Sequence, residues 1–394
     1  MNGGFTVPQE ITRIKQRLLI VDAVFLLIFL VGAFIDRRQF FQSYLVAYIF
    51  WIGIPLGSLA LLMLQHLTGG QWGLIIRRVL EAATRTLPLM VLLFVPIVLG
   101  AGYLYPWTNH EFMAEKPALV EKARYLNLSF FTLRSAIYFA VWLGTAYLLN
   151  GWSLEQDRTA DRRITRKMRM LSGPGLALFV LTVTFAAIDW GMSVSPEWSS
   201  TIYGLIFVAT WALSALAFTI AIMSVISNRE PMAGLVKASH FQDLGKLLLA
   251  LVMLWAYFAF SQFLLIWSGN LPEEINWYLP RTRGAWGAIA LMVIIFHFAF
   301  PFLMLLSRQT KRDPHKLVLI AGMVLLMRLV DVCWMIEPEF SRGGFHLNWQ
   351  DFVAPFAIGG IWLGAFLWQL EKRSLMPVND PQFDNLVAQA ETGH

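Results

Sequence analysis

Residues Ala187–Gly204 read AIDWGMSVSPEWSSTIYG, and the fold can be worked outward from them. An apolar run precedes this stretch, so Asp189 falls where a helix should be leaving hydrocarbon, about two turns before Pro196, which is expected to break it. A carboxylate at that depth is a candidate site by default. The pattern returns later in the chain: Asp331 is followed at the same distance by Pro338, then Glu339 and Phe340, against Pro196, Glu197 and Trp198. Two matched helix ends predict an internal repeat.

The whole chain fits that setting. Its 394 residues are 57% hydrophobic and 14% charged, with a mean hydropathy of +0.58, whereas soluble domains carry about a quarter charged residues. Apolar runs long enough to cross a bilayer occur at 18–35, 43–65, 87–105, 128–149, 171–192, 202–227, 245–268, 284–307, 316–337 and 351–369. They predict an all-α polytopic protein with ten transmembrane helices. The runs do not alternate in short segments, which argues against a β-barrel. The first run follows basic residues as a signal peptide would, but it lacks a small-residue cleavage site and is read as a retained helix. A single membrane domain is expected, with a lead at about 1–17, a core at 18–369 and a polar tail at 370–394. Most of the 31 Lys and Arg residues fall in loops on the side of the two termini, which places both ends in the cytoplasm. The net charge of +6 follows from that bias and calls for no nucleic acid.

Cysteine and histidine are sparse. The single Cys, Cys333, lies inside a span, which excludes a disulfide, a Cys-rich cluster site and c-type haem attachment. Of seven His only His297 is deep in a span, so a haem held by two histidines across a bundle lacks its second ligand. No metal or haem is expected in this chain.

Other polar positions carry two readings each. Asp22 is close enough to an interface to snorkel. The segment GLIIRRVLEA, after Gly69 and Gly70, has the spacing of a surface amphipathic helix whose arginines face phosphates. Arg134, about two turns inside the fourth span, must snorkel or pair with a buried acid. The basic loop from Arg158 to Arg169 suits anionic head groups or another subunit. Tyr257, Ser261 and Gln262 form a polar stripe on the seventh span. In the ninth, Arg328 and Asp331 share a face, either as a fixed pair or as part of a proton path. Asp189 can bond the backbone of residues 193–200 or transfer protons. His297 is open to packing, relay and ligation.

The motifs HLTGGQWG, IIRRVLEA, YLNLSFFTLRSAIYFAVW, SLEQD, TFAAIDWGMSVSPEWSSTIYG, DLGKLLLALVMLWAYFAFSQFLLIW, NLPEE and LVDVCWMIEP occur in that order. Over about residues 45–340 the sequence resembles the ActF-like integral membrane component of the bacterial alternative complex III, a respiratory quinol oxidase delivering electrons to cytochrome c or a terminal oxidase. The resemblance implies a cofactor-free inner-membrane subunit in which helices 2–5 and 6–9 form two four-helix bundles flanked by helices 1 and 10. It implies as partners a quinol-binding sister membrane subunit, an iron–sulfur subunit and a multihaem cytochrome c subunit, with the iron–sulfur clusters and c-type haems held by those partners. Scaffolding and a proton path would be left to this chain, through Asp189, Asp331, Arg328, Arg134 and His297, with Tyr257, Ser261 and Gln262 as relays. Two other expectations stand beside it: a secondary transporter, for which repeats and broken helices are also usual, and quinol binding by this chain through Trp190, Trp198 and Trp334.

Overall fold

The computed structural model describes residues 9–115, 117–341 and 344–391, so the first residues of the expected lead lie outside the described residues. Ten helices among them are long and apolar enough to cross a membrane: α1 Lys15–Ile35, α2 Arg37–Thr68, α3 Gln71–Leu99, α4 Leu128–Thr159, α5 Arg162–Val194, α6 Tyr203–Ile226, α7 Ala238–Gly269, α8 Gly284–Leu306, α9 Pro314–Phe340 and α10 Trp349–Glu371. No strand occurs among the described residues. The protein is an all-α polytopic membrane protein. The start of α1 and the end of α10 lie on one face, where Lys15 pairs with Glu371.

Short polar residues set the helix boundaries. Asp36, Asn127, Asp161, Asp313 and Asn348 each accept a bond from a backbone N–H in the first turn of α2, α4, α5, α9 and α10, satisfying donors that lipid could not. Left-handed backbone ends α4 at Ala160 (φ 53°) and α7 at Asn270 (φ 49°). Gly69 and Gly70, at φ 68° and 97°, turn the chain from α2 into α3, a geometry that side chains with a Cβ rarely adopt.

Burial identifies the centre. In α2, 94% of the apolar window is enclosed and in α6 78%, against 17–22% in α1, α7 and α8, whose outer faces suit lipid. Helices α2 and α6 pack on each other. Helices α5 and α9 both pack against α2 and against α6, while α1 lies on α10 and α4 on α5. The α2–α6 crossing is tight: a Cβ on Gly57 would overlap the Trp211 carbonyl oxygen, and one on Gly53 would overlap the Trp211 ring. Only hydrogen fits there.

Four expectations need correction. GLIIRRVLEA is no surface helix: Arg77 is 1% exposed and Arg78 2%, and the segment is the inward end of α3. The tail is partly core, since Leu375, Met376 and Leu386 are buried. Asp22 does not snorkel; it is 7% exposed and packs on Gly360. Nor are the two helix ends alike. The α-helical part of α5 stops at Trp190, before Pro196, whereas α9 continues through Pro338 to Phe340. Beyond Trp190 the chain tightens into a 3₁₀ turn at Met192–Val194, where the Ser193 hydroxyl donates to the Asp189 carbonyl at 2.5 Å.

Candidate functional site

The charged residues singled out in the sequence fall into two separate buried clusters. The first lies where α4 begins and α5 ends. Asp189 is fully buried, and Arg134 meets it side-on with Nε to Oδ2 at 2.9 Å and Nη2 to Oδ1 at 2.8 Å. Tyr138 donates its hydroxyl to Oδ2 at 2.7 Å. The remaining guanidinium nitrogen, Nη1, bonds the Tyr125 carbonyl at 2.8 Å, and the guanidinium stands 3.7 Å from the Tyr125 ring centre. A planar fork against a carboxylate is the geometry that offsets the cost of burying both charges. Outside the span, burial first and then the Asp189 charge push the Tyr125 phenol up to about 12. Asp189 therefore bonds a side-chain clamp, and the Ser193–Ser200 backbone takes no part in holding its carboxylate.

The second cluster lies deeper, among α6, α7, α8 and α9. Arg328 donates from Nη1 to Asp331 Oδ2 at 2.5 Å, with the two residues 1% and 3% exposed. Arg328 also faces the Phe207 ring. Its Nε and Nη2 have no hydrogen-bond partner among the described residues. His297 is fully buried, edge-on to Trp255 with ring centres 4.4 Å apart, and close enough to Arg328 for the two to act on each other electrostatically. Neither His297 nitrogen makes a well-formed hydrogen bond among the described residues, although the Val324 backbone lies within reach of the ring. The helix carrying His297 widens to a π-helix over Ile294–Ala299, a distortion frequent at functional sites. Where the first cluster is closed by mutual bonds, this one keeps several unmade donors and acceptors inside a membrane-spanning bundle, each costly if left dry.

The polar stripe on α7 divides. Gln262 is buried, accepts from Ser200 Oγ at 2.9 Å and donates to Tyr278 Oη at 3.3 Å. Tyr257 points outward and is 65% exposed, because the inward face of α7 runs through Leu248, Val252, Trp255, Gln262 and Ile266. Ser261 is half-buried. Of the tryptophans offered for quinol binding, Trp190 bonds Ser135 Oγ, Trp198 stacks on Trp277 at 4.4 Å, and Trp334 bonds the Arg281 carbonyl. Arg281 itself is buried, tied to Glu339 at 2.9 Å and to the Met335 carbonyl at 2.8 Å. Burial pulls its guanidinium down from the ordinary value, against the Glu339 charge that favours the proton.

A third network escaped the sequence. On the chain-end face Arg78 bonds Glu81 at 2.8 Å and Asp157 at 2.5 Å, Arg77 bonds Asp380 of the tail at 2.6 Å, and Ser153 donates to Glu81 at 2.6 Å. The signal that could have found it is the spacing of Arg77 and Arg78 to Glu81 within IIRRVLEA, four and three residues apart on one helix face. Among the described residues no group of three or more His, Cys, Asp and Glu side chains converges as a metal site. A scan against protein-family models matches no family, and a search of curated proteins finds no relative.

Proposed function

We propose that this chain is a membrane subunit of a respiratory quinol-oxidising assembly of the alternative complex III type, seated in the bacterial inner membrane with both ends cytoplasmic. In this reading helices α2–α5 and α6–α9 are two bundles joined through α2 and α6, and the electrons travel in partner subunits through iron–sulfur clusters and c-type haems. The chain scaffolds those partners and carries protons through the cluster at Arg328, Asp331 and His297.

One observation carries the proton role: an ion pair and an imidazole, all enclosed between helices, keep unmade hydrogen-bonding atoms beside a π-helical segment. Groups that are both titratable and incompletely bonded can accept and release a proton without dismantling a packed network. The Arg134–Asp189 clamp is fully bonded, so its part is to hold α4 on α5.

The test has two stages. Affinity purification of the tagged chain from its native membrane is expected to bring down multihaem and iron–sulfur subunits. In vesicles, an assembly carrying Asp331→Asn is expected to release protons at a rate lowered by about tenfold or more. Purification of the chain alone, or unchanged proton release from a correctly assembled variant, refutes the proposal.

A further inference from the structure

Glu337 is the buried acid that the cluster above leaves unused. It stands near the end of α9, is 3% exposed, and its Oε1 has no hydrogen-bond partner among the described residues. No Lys or Arg pairs with it among the described residues; its neighbour Glu339, by contrast, is held by Arg281. Toward the membrane interior lies Asp331, about 9 Å back along the helix axis at 1.5 Å per residue. Toward the opposite face lies Asp351 in the first turn of α10, half-buried and close enough to act on Glu337. The Cys333 thiol is within electrostatic reach of all three carboxyl groups, so they share one side of the bundle.

Asp351 is anchored on α2. Its Oδ1 accepts from Ser43 Oγ at 2.5 Å and from Gln39 Nε2 at 2.8 Å, and its Oδ2 from the Asn348 backbone N–H at 2.7 Å. Among the described residues the groups that act on Glu337 are Asp351 of α10 and the Cys333 thiol of its own helix, with Ser43 and Gln39 of α2 and His346 set against Asp351. A carboxylate enclosed without a cation is costly, and the same group carrying a proton is not.

We propose that Glu337 is the proton carrier between the Asp331 site and the opposite face, with Asp351 as the group that meets water. The inference rests on reading the α8–α9 cluster as proton-carrying. Glu337, protonated at rest, passes its O–H proton to the Asp351 carboxylate, which gives it to solvent. The Glu337 carboxylate so formed then takes the proton from a carboxylic O–H of Asp331 through bridging water, which leaves Asp331 ionised beside Arg328. No other bond forms or breaks, and no electrons move.

Infrared difference spectroscopy of the purified full chain in nanodiscs tests the carrier directly. Glu337→Gln is expected to remove a carboxylic-acid carbonyl band that shifts on transfer to D₂O. Asp351→Asn is expected to keep that band and slow its exchange by about tenfold. A carbonyl region unchanged in Glu337→Gln, or exchange at the unmodified rate in Asp351→Asn, overturns the inference. Glu337→Asp, which restores an acid, is expected to restore the band and separates loss of the carrier from a folding defect. In the assembled complex Glu337→Gln is expected to lower proton release as Asp331→Asn does. Intact infrared behaviour together with unaltered release overturns the transport role on which the route rests, while leaving Glu337 an exchanging acid.

Discussion

Replacing Arg134 by Met should be among the most damaging single changes in the protein. The side chain is 7% exposed and gives two charge-assisted bonds to a fully buried carboxylate. Removing it leaves Asp189 facing Tyr138 alone, and an uncompensated charge at such a site costs about 3–5 kcal/mol. Loss of the stacking on Tyr125 at 3.7 Å adds about 1 kcal/mol. A variant of about 4–6 kcal/mol lower stability is expected from these terms, enough to unfold a marginal membrane domain. Changing Asp189 to Leu as well removes the stranded charge, so the double variant should recover at least about 2 kcal/mol relative to additivity. Equilibrium unfolding in bicelles by steric trapping measures all four corners of this cycle. A single variant within about 1 kcal/mol of the unmodified protein, or a strictly additive double variant, would refute the account of the clamp as a bonded pair.

Three further expectations are simpler. Gly57→Ala forces α2 and α6 apart at the Trp211 carbonyl and should cost about 1–3 kcal/mol or more, read as a lowered Tm. Arg78→Met strands Asp157 while Glu81 keeps Arg77, Arg373 and Ser153, with an expected loss of about 3 kcal/mol in the same unfolding assay. Asp380→Ala removes the partner of Arg77, so limited proteolysis after Lys372 should quicken while the ten spans stay intact.

The spans themselves were legible because a period-free apolar run of adequate length has one use in a long chain. Depth was legible too: Arg134, Asp189, Arg328, Asp331 and His297 all lie inside, as their position in apolar runs requires. What spacing does not carry is partnership across the fold. Arg134 and Asp189 are on different helices, and nothing local indicates that Tyr138 and Tyr125 complete their clamp. The chain-end network fails for the same reason, since Arg77 meets an acid from the far end of the sequence. IIRRVLEA looks amphipathic until Asp157 and Asp380 arrive to neutralise its arginines. Tyr257 erred in the other direction: a polar stripe drawn from spacing alone cannot say which side of α7 meets α6, and packing turned Trp255 and Gln262 inward. The match of Pro196 with Pro338 was true as letters and misleading as geometry, because one helix gives way to a 3₁₀ turn before its proline and the other runs through it.

The glycine contact between α2 and α6 has a mechanical corollary. Backbone lies against backbone and indole at the middle of the particle, with no layer of compressible side chains between, so the joint resists both sliding and tilting. Rocking of α2 against α6, as an alternating-access carrier would use, would have to open this contact. On the proton-carrying reading, transfer runs instead between stationary groups, as charge crosses an insulator along its embedded defects.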